Sequence, residues 1–168
     1  MTSTTRWLDD DEQSAWRAFV RLQSRLSAEL NRRLQATADL SLADYEVLVV
    51  LTDVPGARLR PYEMQKTLDW EQSRLSHHLG RMQRRGLVRR EECDEDGRGA
   101  YIALTESGRS AITEAAPDHV ETVRHLFFDA LKPSQVTALR KLASQVLDRI
   151  DETKVSPSGK AHSQVAPS

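Results

Sequence analysis

EQSRLSHHLGRMQRRG, residues 71–86, is the stretch on which the reading of this chain turns. On a helical period, Leu75, Leu79 and Met82 share one stripe, while Arg74, His77, His78, Arg81, Arg84 and Arg85 spread over the remaining surface. From Glu71 to Arg90 the bases are Arg74, Arg81, Arg84, Arg85, Arg89 and Arg90, against the single acid Glu71. One side of the predicted helix is therefore apolar and the other suits a polyanion.

The flanking segments give this helix its setting. Arg60-Pro61 opens a short helix with proline at the first position, where a missing N–H costs nothing, and Tyr62, Met64 and Leu68 are its expected packing residues. Only Asp69-Trp70 separates it from the helix that follows, which leaves room for the sharp corner of a helix-turn-helix and little else. Gly86 suits a left-handed helix terminus. LVRREEC, DEDGRG and AYIALT then read as two short strands around an Asp-Gly turn. A helix-turn-helix followed at once by a hairpin is a winged helix.

Outward from this lobe the chain reads as helix. Asp9, Asp10, Asp11 and Glu12 load a helix N-terminus, and Trp16, Phe19, Val20, Leu26, Leu30 and Leu34 continue as one apolar stripe. Ser41 and Asp44 resemble a capping pair for LADYEVLVVL, so the β-branched run Val47–Leu51 reads as helix over about 42–53. Thr105 is the expected N-cap of a long helix that Pro117 should kink, and Ser134 that of a last helix striped by Val136, Leu139, Leu142, Val146, Leu147 and Ile150. The fold class expected is mainly α. A winged helix-turn-helix lobe at 41–105 is joined to a dimerisation region of long helices at 11–40 and 106–152, between a flexible terminus at 1–10 and a disordered tail at 153–168.

Composition narrows the function. A formal net charge of −1 over 168 residues provides no global attraction to nucleic acid, so any such affinity must come from the local patch. Cys93 is the only cysteine, which excludes an internal disulfide and a cysteine-based zinc site. No leader pattern opens the chain and no long apolar run occurs in it, so the expected location is the cytoplasm, with no membrane partner. No cofactor is expected.

The order of parts resembles the MarR family of bacterial transcription regulators. The resemblance covers about residues 12–152 and is carried by LSLADYEVLVVL, by RPYEMQKTLDWEQSRLSHHLGRMQRRGLVRR and by DEDGRGAYIALTESGR, the last being the most specific. It implies a homodimer whose first and last helices interleave across a two-fold. It also implies a recognition helix at 71–86 lying in the major groove of a pseudo-palindromic double-stranded DNA operator, most simply as a repressor. Gln72, Ser73, Arg74, Ser76 and His77 are then the candidates for base edges, Arg74 first because a guanidinium can take guanine through two hydrogen bonds. Arg81, Arg84 and Arg85 are expected on phosphate. Asp96 and Arg98 occupy the wing-tip positions, with Arg98 presented to a minor groove. By the same resemblance, a small-molecule effector would be lined by Trp16, Arg17, Tyr45 and Trp70.

Plainer readings compete with these. An arginine-rich face can simply be solvated. His77 and His78 diverge by about 100° and read as polar surface or half-buried groups rather than metal ligands. His119 and His125 suit interface or surface, and no cysteine near the first helix supports a thiol switch. A winged helix used for protein contact is the alternative to DNA binding, and would call for a neutral or apolar face on 71–86. An enzyme is not expected, since no nucleophile with a placed base, paired carboxylates, glycine-rich phosphate loop or metal spacing occurs.

Overall fold

The computed structural model describes residues 5–92 and 99–155. Nine principal elements follow in order: α1 Asp10–Ala38, α2 Leu42–Thr52, β1 Arg58–Leu59, α3 Pro61–Leu68, α4 Gln72–Arg84, β2 Val88–Glu92, β3 Ala100–Leu104, α5 Glu106–Leu126 and α6 Pro133–Val155. They divide into a compact unit ending at Leu126 and a second unit from Phe127 onward.

Local chemistry sets the helix starts. Asp9 caps α1 reciprocally with Glu12: the Glu12 N–H donates to Asp9 Oδ1 at 2.8 Å and the Asp9 N–H to Glu12 Oε2 at 3.1 Å. Ser41 and Asp44 form the same device at α2. The run Val47–Leu51 is helical, with Val47, Leu48 and Leu51 fully buried. Helix wins over β propensity here because the cap is strong and the segment is enclosed on several sides.

The core of the first unit joins Leu34 and Leu40 to α2, to Met64 of α3, to Leu75, Leu79 and Met82 of α4, and to Ile112 and Ala115 of α5. Packed beside it is a three-stranded antiparallel sheet of order β1-β3-β2. Val88 pairs with Leu104 and Glu92 with Ala100, which is the expected hairpin, while β1 adds Arg58 opposite Ala103 on the far edge. The wing tip, with Cys93, Asp96 and Arg98, lies outside the described residues.

Gly108 explains why Leu-Thr-x-x-Gly closes the lobe. A Cβ there would sit 2.1 Å from the Leu87 carbonyl oxygen, so α5 approaches the start of the wing more closely than any other residue would allow. Thr105 clamps the same point: its hydroxyl lies 2.6 Å from the Gly86 carbonyl oxygen and 3.0 Å from that of Leu87, and accepts from the Gly108 N–H at 2.9 Å.

Two local expectations are corrected. Tyr62 is 55% exposed, because it lies about 200° around the helix from buried Met64. Ser134 does not cap α6, which already begins at Pro133, and the Lys132 N–H is taken by Gln135 Oε1 at 2.8 Å.

Within the second unit, Leu139, Leu142, Val146, Leu147 and Ile150 of α6 are all exposed. On α1 so are Trp16, Phe19 and Val20, the ring of Trp16 lying 5.9 Å from that of Phe19.

Candidate nucleic-acid interface

The corner before α4 is made by Asp69 in the left-handed region (φ 51°), and Gly86 at φ 73° turns the chain out of its far end. Between them, at 100° per residue, α4 has four faces. Leu75, Leu79 and Met82 are buried in the core. Ser73, His77, Gly80 and Arg84 fall opposite, within about 60° of one another, as an outward ridge. Gln72, Ser76 and Gln83 form one flank; Arg74, Arg81 and Arg85 form the other, beside buried His78.

Gly80 leaves the middle of that ridge bare. Beyond its Cβ direction only the Arg84 Nη1 atom comes within 4 Å, at 3.9 Å. A polyanion could therefore approach the helix backbone there, with His77 and Arg84 on either side. Among the described residues no ion pair holds Arg84.

The flank with Gln72, Ser76 and Gln83 borders a cleft of about 600 Å³, whose other walls include Arg60 and Gln65 on the α3 side and Arg90 on the wing. It is half open, with apolar walls from Leu75, Leu79 and Ile102 beside the polar ones. Arg58 on β1 and Arg60 at the start of α3 both approach β3: their guanidiniums lie 4.9 and 5.1 Å from the Tyr101 ring centre. Arg89 donates to Glu91 Oε1 at 2.6 Å, and this hydrogen bond, with help from Arg58, holds the Glu91 carboxyl below its ordinary value.

The opposite flank turns toward α2. Arg85 donates through Nη1 to Asp44 Oδ2 at 2.8 Å and through Nη2 to the Asp39 carbonyl oxygen. The guanidinium, expected on phosphate, here ties the end of α4 to the start of α2. His78, expected at or near the surface, is only 5% exposed; its Nε2 lies 3.0 Å from Oδ1 of Asp44, itself 3% exposed. Burial alone would push the Asp44 carboxyl up. The His78 ring beside it, with hydrogen bonds from the Ser41 backbone and hydroxyl and from Arg85, outweighs that and holds it well below the usual carboxylate range.

Arg74 is exposed, but its guanidinium rests over the Trp70 ring, 4.2 Å from the centre. To take a base edge it must slide off that ring or be met there. Of the residues expected around an effector, Trp16 lies 5.9 Å from the Phe19 ring, Tyr45 4.2 Å from that of His119 in a tilted pair, and Trp70 meets His78 edge-on at 5.4 Å.

Sequence reasoning missed the role of Asp44 beyond capping, the burial of His78, and the Arg58-Arg60-Tyr101 group. The first had a signal: Asp44 lies in the first turn of a helix that is otherwise mostly apolar. β1, two residues long, had none.

Among the described residues, no group of three His, Cys, Asp or Glu side chains is placed to hold a metal, and no helix is long and apolar enough to cross a membrane. A model of the MarR family matches residues 38–99. AbsC, a MarR family transcriptional regulator of Streptomyces coelicolor, superposes with a TM-score of 0.83 at 38% identity, over 88% of this chain and 99% of that one. Sco3205 from the same organism, solved in complex with DNA, gives 0.82 at 36% identity over 94% and 95%. The transcriptional repressor MprA of Escherichia coli K12 is 24% identical over 136 residues, covering 81% of this chain and 76% of its own. With these regulators matching most of its length, and with their winged helix, the chain belongs to the MarR family of transcriptional regulators, which are not enzymes.

Proposed function

We propose that this regulator is a homodimer that represses transcription by binding a pseudo-palindromic duplex operator, with α4 in the major groove and the wing tip, through Arg98 backed by Asp96, in the minor groove. The outward ridge of α4 carries this reading: Ser73 and His77 stand toward its first turns, Gly80 allows close approach, and Arg84 has no competing ion pair among the described residues. Gln72, Ser76 and Arg74 flank the part of a recognition helix that meets base edges. Arg81 and Arg84, farther along, meet phosphate, and Arg60 and Arg90 border the cleft through which a backbone could pass. Arg85 is left out of this set because it already serves Asp44 and Asp39.

Dimerisation is supported by large apolar side chains open to water on α1 and, separately, on α6. Repression is supported by the name of MprA. An effector is proposed to contact Trp16, Arg17, Tyr45 and Trp70, of which Trp16 presents an exposed ring. Selection from a random duplex library tests the reading. It should return an inverted repeat with half-site centres about one helical turn, ~10 base pairs, apart. Recovery of no duplex above background would favour a protein-contact module.

A further inference from the structure

His77 and His78 look like an idle pair on a recognition helix, yet the structure gives both the same neighbour. Arg81 Nη1 lies 3.3 Å from His77 Nδ1 and Nη2 lies 2.7 Å from His78 Nδ1. A guanidinium only donates, so the His78 Nδ1 atom accepts and its ring proton sits on Nε2. That atom is buried, lacks any well-directed hydrogen bond, and has Asp44 Oδ1 at 3.0 Å as its close polar neighbour. Asp44 is fixed in turn by Ser41 and Arg85. Trp70 packs its edge against the same imidazole and carries Arg74 on its face.

We propose that His78 is a positioning residue for the DNA-binding surface: Asp44 fixes its tautomer, and that tautomer turns Nδ1 outward to hold the Arg81 guanidinium in place for a phosphate. The proposal rests on the reading of Arg81 as a phosphate contact. Long side chains lose rotamer freedom when fixed, so a guanidinium held beforehand binds with less loss than a free one.

Bond counting separates this role from a structural one. Nδ1 is two bonds from Cβ, like the amide oxygen of asparagine; Nε2 is three bonds away, like the amide nitrogen of glutamine. In the full chain, His78→Gln keeps a donor for Asp44 and loses the acceptor for Arg81, whereas His78→Asn does the reverse. Arg81→Ala should weaken operator binding roughly tenfold per subunit, the size of one charge-assisted contact. His78→Gln should approach that loss while melting close to the parent, and should add nothing to Arg81→Ala in the double variant. His78→Asn should melt lower yet bind, once folded, more tightly than His78→Gln. Nitrogen NMR should find His78 Nδ1 unprotonated.

Parent-like binding by His78→Gln, or losses that add in the double variant, would overturn the positioning role. Unchanged binding by Arg81→Ala would overturn the contact reading beneath it, and the proposal along with it. If His78→Asn does not fold, the glutamine variant, the double variant and the NMR measurement still decide the matter.

Discussion

Asp44 shows how a single side chain can belong to both fold and site. Its carboxylate closes the cap of α2, receives Arg85 and has the His78 ring at 3.0 Å, so α4 is anchored at a buried charge. Because the folded-state value is depressed, the native protein binds fewer protons than the unfolded one near the ordinary carboxylate pKa of about 3.9. This contribution is therefore complete above about pH 4 and is lost as pH falls toward the lower folded value. Asp44→Asn should lower stability by about 3 kcal/mol at neutral pH, since it leaves Arg85 and His78 without their anion, and should flatten the acid limb of a melting-temperature profile. A variant with the parent's acid limb would show that other carboxylates set it. At this scale the sequence was only partly legible. Ser41 and Asp44 announced a cap through their spacing, but nothing local distinguished Arg84, which faces outward, from Arg85, which turns in. That difference of one residue is set by the partner helix.

Elements were more legible than side chains, because period, caps and turn residues act locally. The helix-turn-helix could be read from Pro61, the two-residue corner and the stripe of Leu75, Leu79 and Met82. The hairpin was legible from its alternation, while β1 was not, since it is held by the pairing of Arg58 and Leu59 with β3 and by no pattern of its own. Where α5 meets the wing, Leu87 leaves no room for a side chain on Gly108. Gly108→Ala, a change that would favour an isolated helix, should instead destabilise the lobe by about 1 to 3 kcal/mol as the helix is forced away from Leu87. Chemical denaturation checks this. An equal or higher midpoint would mean that α5 can shift without cost.

For the molecule as a whole, the exposed rings of Trp16 and Phe19 are the feature a lone chain would not sustain in water. Trp16→Glu combined with Phe19→Glu should convert a dimer into a monomer in sedimentation at micromolar concentration. A parent that already sediments as a monomer would contradict the dimer. Operator binding should be lost along with the dimer, because one winged lobe meets only half of a two-fold site.

The claim beneath all of this is that Arg84, on the outward ridge of α4, faces nucleic acid, whereas its neighbour Arg85 is turned back into the lobe. Operator binding measured against salt concentration for Arg84→Ala and Arg85→Ala tests it most directly. Arg84→Ala should reduce the log–log slope by about 0.9 per subunit with melting unchanged, whereas Arg85→Ala should lower the melting temperature and leave the slope alone. The opposite pattern, with the slope following Arg85 and stability following Arg84, would contradict the account.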